Sequence, residues 1–255
     1  MSKRRDESFE QDMHSEKSAL HRPDGKTLRL GVLISGSGSN LQALIDAIED
    51  GTLTGVEIAL VVSNNGQAQG VQRALRHKVP VIYLPWTRSV GAARRAHQCI
   101  APKKMPESEE RLTKLLQLFE VDLIVLAGWM RILSGTFLEQ FPQRVINLHP
   151  ALLPDDGMGS TYTTQDGTAI PVFRGLHAVR QALDAGVKVT GSSVHYVTAE
   201  VDAGPVICRE EVVVEEGDTE ESLHERIKRV EHRLVVEAVR RWGRDHSAAS
   251  GVQAI

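Results

Sequence analysis

Along the first 27 residues, polar and charged side chains of both signs follow one another with almost no apolar residue between them. Such a stretch cannot bury enough surface to offset its ordering entropy, and it reads as a disordered tail. The pattern changes at residue 28. Residues 28–34 form a near-continuous apolar run, followed by the turn Ser35-Gly36-Ser37-Gly38-Ser39-Asn40. Leu41, Leu44, Ile45 and Ile48 then fall on one helical face, with Gly51 as the stop. A second apolar run at 56–62 leads through Ser63-Asn64-Asn65-Gly66 into a helix, and a third run occupies 79–84. After an interruption at about 88–106, Leu112, Leu115, Leu116 and Phe119 make another helical stripe, and strands are predicted at 121–127 and 145–149. Residues 155–172 carry Gly, Thr, Asp and Pro with neither period, which predicts a long surface loop. A helix at 175–185, strands at 187–197 and 206–214 and a long final helix complete the pattern. Asp218 and Glu221 have capping-box spacing at the start of that helix, and a frayed tail is expected over 243–255. Continuous apolar strands alternating with helices predict an α/β domain over 28–242, a mostly parallel sheet with helices on both faces.

Composition narrows the function classes. The chain has 255 residues, 41% hydrophobic and 25% charged, with a net charge of −3, so nothing marks a surface built to neutralise a phosphate backbone. Cys99 and Cys208 stand far apart, which gives neither a disulfide framework nor a cysteine zinc site. The apolar stretch at 121–133 is broken by Arg131, and the N-terminus has no apolar segment of the secretory kind. A soluble, cytoplasmic chain is expected.

Several groups of residues could carry chemistry. The turn at 35–40 lets backbone approach a ligand closely, and the helix start behind it favours an anion, unless it is only a tight strand-to-helix turn. Leu41 stands where the third glycine of a dinucleotide fingerprint would fall, so a phosphate monoester fits better than a dinucleotide. Asn147 and His149 share one face of a strand by the period of two. An amide donor beside an imidazole suits acyl transfer, and a structural pair at a strand end is the alternative. Asp202, in Val201-Asp202-Ala203-Gly204-Pro205, is an ordinary turn former unless it meets His149. Glu231 lies on the apolar stripe of Ile227, Val230 and Leu234 and needs a partner there, either ligand hydroxyls or Lys228 or Arg233. Trp129 and Met130, just after a strand, are core residues or a pocket rim. The sequence has no HExxH, no paired metal spacing and no GxSxG elbow.

The blocks LISGSGSNLQALI (33–45), VLAGWMRILS (125–134), INLHPALLP (146–154), GSSVHYVTAEVDAGPVI (191–207) and EHRL (231–234) together resemble the phosphoribosylglycinamide formyltransferases, in that family's order. The resemblance covers residues 28–242. It implies a seven-stranded, mostly parallel, Rossmann-like twisted sheet and formyl transfer from 10-formyltetrahydrofolate to 5'-phosphoribosylglycinamide in purine biosynthesis. The transfer would be direct, with 10-formyltetrahydrofolate as co-substrate and no metal. Gly38, Ser39 and Asn40 would take the phosphate and Glu231 the ribose hydroxyls. Met130, Arg131, Leu133, Val197 and Val201 would line the folate pocket. Asn147, His149 and Asp202 would be catalytic, with Asp202 keeping His149 charged. The chain departs from the family's pattern over 155–172, an insertion before Gly175-Leu176-His177 that is either a lid or a surface decoration. The partners implied are small molecules, with no nucleic acid or membrane, and a monomer or weak homodimer. A formyltetrahydrofolate deformylase, or a non-catalytic phosphate-ligand-binding protein on the same fold, remains the alternative.

Overall fold

The computed structural model describes residues 19–22, 24–86 and 105–248. Its first half runs β1 (Leu28–Ile34), α1 (Ser39–Glu49), β2 (Val56–Ser63), α2 (Gln69–Arg76) and β3 (Val81–Tyr83). Then come α3 (Glu107–Leu118), β4 (Leu123–Leu126), the single turn α4 (Gly135–Leu138) and β5 (Val145–His149). The second half holds a short hairpin of β6 (Thr161–Thr163) and β7 (Ala169–Pro171), then α5 (Ala178–Asp184), β8 (Val189–Tyr196), β9 (Val206–Val213) and α6 (Glu220–Ala248). Seven strands make one sheet in the order β3-β2-β1-β4-β5-β8-β9. The first five pair in parallel, and β8 and β9 are added antiparallel. The expected α/β class and its mostly parallel seven-stranded sheet are both present.

Alternation along β1 shows why its run is apolar throughout. Leu30, Val32 and Ile34 belong to a buried cluster with Leu41 and Leu44 of α1 and Ile227, Leu234 and Val235 of α6. Leu33 belongs to the cluster on the opposite face, with Leu112 and Leu116 of α3 and Phe137 of α4. A strand covered on both sides has no solvent face on which to place polar residues. Gly31 belongs to the α3 face, where a Cβ would stand 2.8 Å from Leu116 Cδ2, so glycine sets how closely α3 can lie.

The strand order reverses between β1 and β4, the arrangement that opens a crevice between the loops following those strands. The glycine-rich turn after β1 and the 127–134 segment after β4 are therefore neighbours, and Met130 N donates to Ser35 Oγ at 2.9 Å.

Four expectations are corrected. The tail does not extend to residue 27, because Leu20 is buried, its amide donating to Thr54 O at 2.9 Å. Gly55 and Gly243 make room for it, since a Cβ on either would crowd Leu20. Residues 155–172 are not an irregular loop, because they contain the β6–β7 hairpin. It lies against β9 through Tyr162 Oη to Glu211 Oε1 at 3.2 Å and the Arg209 guanidinium 5.0 Å from the Tyr162 ring centroid. The cap of α6 is Thr219, whose Oγ1 accepts from Ser222 N at 3.2 Å while Ser222 Oγ accepts from Thr219 N at 3.0 Å. Asp218 is engaged by Arg226 instead. Finally, α6 continues past Trp242 to Ala248, with Trp242 Nε1 donating to Gln143 O at 2.8 Å and its ring stacked on His246. The interruption expected at 88–106 lies outside the described residues except for Met105, which packs under α3, and Pro106, which caps it.

Candidate active site

The period of two along β5 puts Asn147 and His149 on one face, as expected. The turn between β8 and β9 brings Asp202 to them. His149 Nδ1 lies 3.4 Å from Asp202 Oδ2, and Asn147 Nδ2 donates to Asp202 Oδ1 at 3.4 Å. Asp202 is therefore more than a turn former. It holds a left-handed backbone, with φ 50°, a conformation that aspartate adopts more readily than most residues. Gly175 N donates to its Oδ2 at 2.8 Å.

His195 joins the cluster from β8. It sits opposite Asn147 in the ladder, its Nδ1 donates to Tyr196 O at 2.8 Å, and its Nε2 lies 3.3 Å from Asn147 Nδ2 and 3.6 Å from Asp202 Oδ1. With Nδ1 carrying the hydrogen, Nε2 of the neutral ring accepts from the amide. Sequence reasoning did not single out His195, because only the β5–β8 register places it beside Asn147.

His149 is 3% exposed, and its Nε2 donates to Phe173 O at 2.7 Å. A carbonyl can only accept, so the hydrogen of the neutral ring is on Nε2 and the lone pair of Nδ1 faces Asp202. Burial pushes the imidazole below its ordinary range, against the opposing pull of Asp202 and of the Phe173 carbonyl. The expectation that Asp202 keeps His149 charged is thus corrected: desolvation outweighs the carboxylate. Burial also raises the Asp202 carboxyl, but the hydrogen that His195 Nε2 can donate to it in acid, the positive charge His149 takes up there and the Gly175 amide together hold it down to about 2.

Both shifts act alike in acid. The unfolded chain, with an imidazole near ~6.5 and a carboxyl near ~3.9, binds protons that the folded chain refuses. Stability is expected to fall as pH drops below about 6.5, from His149, and again between about 4 and 2, from Asp202. Urea midpoints from pH 8 to pH 2.5 check this. An unchanged slope between pH 7 and 5 in His149→Gln would contradict the first assignment.

The glycine-rich turn forms a second part of the site. Gly38 is the N-cap of α1 with φ 69°, no side chain caps that end, and its first turn holds no acid. The free amides and the helix dipole there suit an anion. Gly38 packs on Gly70 of α2, where a Cβ at 38 would stand 2.6 Å from the Gly70 Cα. Arg73, one turn further along α2, donates from Nε to Ser37 O at 2.9 Å and adds positive charge beside the turn. The sequence offered no sign of Arg73, since it sits on the polar face of a helix. Asn40 and Glu231 meet: Asn40 Nδ2 donates to Glu231 Oε2 at 3.1 Å, both residues being buried. The partner of Glu231 is neither Lys228, which engages Glu225, nor Arg233, which engages Glu210. Asn40 Oδ1 is buried without a partner.

The residues expected at a folate pocket are more dispersed. Met130 and Val201 are exposed, Leu133 is buried, and Arg131 Nε is buried without a partner. Val197 lines a cleft of about 600 Å³ with Leu138, Phe141, Tyr196 and Thr198. Of the five residues it is the only one in that cleft. Among the described residues no helix is long and apolar enough to cross a membrane, and no three His, Cys, Asp or Glu side chains gather to hold a metal.

The formyl transferase family model matches residues 28–164 and 167–239. The trifunctional purine biosynthetic protein adenosine-3 of Gallus gallus is 39% identical over 206 residues, covering 81% of this chain and 17% of that protein, so the chain spans about a sixth of such relatives. The phosphoribosylglycinamide formyltransferase of Escherichia coli K12 is 35% identical over 207 residues, 81% of this chain and 83% of that protein. A crystal structure of glycinamide ribonucleotide transformylase 1 from Symbiobacterium toebii superposes with a TM-score of 0.69 at 39% identity, covering 86% of this chain and 89% of that one. On its sheet order, its Asn147, His149 and Asp202 cluster and these matches, the chain belongs to the formyl transferase family.

Proposed function

We propose that the chain transfers the formyl group of 10-formyltetrahydrofolate to the amine of 5'-phosphoribosylglycinamide; for its relatives, the name phosphoribosylglycinamide formyltransferase states the transferred group and the acceptor. The observation that carries this is the convergence of Asn147, His149 and Asp202 on one face of β5. The amine attacks the formyl carbon, forming the new C–N bond while the carbonyl pair moves to oxygen. Collapse of the tetrahedral intermediate breaks the bond to N10 of the folate, which takes up the proton the amine loses.

Asn147 supplies the donor for the oxyanion. Its two contacts within the cluster, 3.3 and 3.4 Å, are longer than a strong hydrogen bond, so the amide can turn to a better acceptor. The neutral His149 has its basic nitrogen, Nδ1, toward Asp202, where it takes the proton that the amine loses, by way of a water, and returns it to N10 as the intermediate collapses. Asp202 then neutralises the imidazolium and orders the water that passes the proton. A covalent enzyme intermediate is not needed, and burial pushes the Cys208 thiol up to about 12, so it offers no thiolate at neutral pH.

Gly38, Ser39 and Asn40 would hold the phosphate, with Arg73 nearby. Glu231 and the unpartnered Asn40 Oδ1 would accept from the ribose hydroxyls. The buried Arg131 Nε would donate to a polar group of the folate, with Met130, Leu133, Val197 and Val201 around it. Absorbance-monitored turnover of 10-formyltetrahydrofolate with and without the ribonucleotide tests the proposal. Turnover that requires the ribonucleotide is expected. Folate turnover without it would make the chain a deformylase, and calorimetric binding without turnover would make it a binding protein.

Gly38→Ala is expected to raise the KM for the ribonucleotide about ten-fold or more with kcat nearly unchanged. A left-handed backbone costs alanine about 1 kcal/mol, and the new Cβ cannot be accommodated against the Gly70 backbone without moving the turn. An unchanged KM would remove the turn from the phosphate site.

A further inference from the structure

Three consecutive residues, Phe173, Arg174 and Gly175, each hold a different part of the catalytic cluster. The Phe173 carbonyl takes the hydrogen of His149 Nε2, and the Gly175 amide donates to Asp202 Oδ2. Between them, the Arg174 guanidinium donates from Nε to the backbone carbonyl of Asp202 at 3.0 Å. Its NH2 group donates to the carbonyls of Gly157 at 2.7 Å and Gly159 at 2.9 Å. These last two residues lie just before the β6–β7 hairpin, and Arg174 lies just after it.

The two turns that Arg174 joins approach to backbone contact. Gly157 has φ 72°, and a Cβ there would stand 2.3 Å from Gly204 O and 2.6 Å from the backbone of Ala203. Three carbonyl oxygens from two turns point at one guanidinium. Without it, three acceptors of like partial charge would face one another, partly buried and unpaired. Arginine suits this place because its flat fork carries several donors in fixed directions, whereas an ammonium is a single point.

We propose that Arg174 is a positioning residue for Asp202, clamping the left-handed turn at 202 onto the base of the hairpin so that its carboxylate faces His149, His195 and Asn147. The 155–172 segment is then neither a lid nor a decoration, because its first turn and the residues that follow it are the wall on which the catalytic carboxylate is mounted. This rests on the catalytic role proposed for Asp202, so its test needs a readout that does not depend on formyl transfer.

Arg174→Ala and Arg174→Lys would each be compared with the parent protein in turnover and in an NMR titration of the ¹³C-labelled Asp202 carboxyl. A displaced carboxylate is expected to lower kcat about 10- to 100-fold in Arg174→Ala, with the KM for the ribonucleotide within about two-fold. The Asp202 titration is expected to move up toward the ordinary carboxyl range. Arg174→Lys, which keeps the charge and loses the fork, is expected to recover stability more than turnover. It also serves as the test if the alanine variant does not fold. A folded variant with unchanged kcat and an unmoved Asp202 titration would overturn the proposal. If the parent protein shows no formyl transfer, the proposed function fails, and the carboxyl titration still decides the clamp.

Discussion

Alanine at position 149 is expected to lower kcat for formyl transfer by about 10²- to 10⁴-fold, the range over which a positioned proton-transfer group contributes to a rate. The imidazole is the basic group that β5 itself contributes to the cluster, beside His195 from β8, and its lone pair points at Asp202 across 3.4 Å. Burial holds it neutral at pH 7, which leaves a lone pair free for the proton released in the proposed attack. An alanine there leaves Asp202 charged with no ring to neutralise and leaves Phe173 O without its donor. Stability will fall as well, by about 1–3 kcal/mol for the lost hydrogen bond and the space left behind, so turnover must be read on folded protein. Single-turnover rates in His149→Ala and His149→Gln, at matched fractions folded, make the measurement. The KM for the ribonucleotide is expected to stay near the parent value, because the turn proposed to hold the phosphate lies between β1 and α1, apart from the β5 cluster. A kcat within a few-fold of the parent would remove His149 from the chemistry.

The parts of this molecule that could be read without coordinates share a physical cause. Strands β1, β2, β4 and β5 are covered on both faces, and a strand with no solvent side reads apolar from end to end. Asn147 and His149 were legible because they interrupt such a run at the strand period. Glu231 was legible as a carboxylate on an apolar stripe, but its partner, Asn40, lies 191 residues away, a pairing that only the packing of α6 on α1 creates. The hairpin left no trace in the pattern because each of its strands has three residues, and only Tyr162 and Ile170 turn away from solvent, too few to show a period. Leu20 is hidden for a different reason. One apolar residue in a charged tail means nothing until Gly55 and Gly243 are seen to leave a space for it. Arg174 carries no local signal at all, since its three acceptors are backbone carbonyls, which every residue possesses.

Asp202→Asn separates the charge of that residue from its shape, and is expected to lower kcat by about 10²-fold or more with little change in ribonucleotide affinity. Asparagine tolerates the left-handed backbone at 202 as well as aspartate does, so the turn and the Arg174 contact to its carbonyl survive the change. The side-chain carbonyl can still accept from the Gly175 amide, which orients the new NH2 group toward the place of Oδ1. There it meets the Asn147 amide, which now loses an acceptor, and Nε2 of His195. The fold is retained while the negative charge that would stabilise an imidazolium at His149 is gone. The pH dependence supplies a check on the two electrostatic contributions separately, and only the shift at His149 reports the contact between the two side chains. In the parent protein the low carboxyl pKa, about 2, makes stability fall between about pH 4 and pH 2. In Asp202→Asn that contribution is absent, so the acid limb of the urea midpoint should flatten there. The His149 imidazole, deprived of the carboxylate that raised its pKa, should titrate still lower, and the loss of stability below about pH 6.5 should steepen. Equal turnover in the variant, or a His149 titration that does not move, would show that Asp202 serves the turn alone.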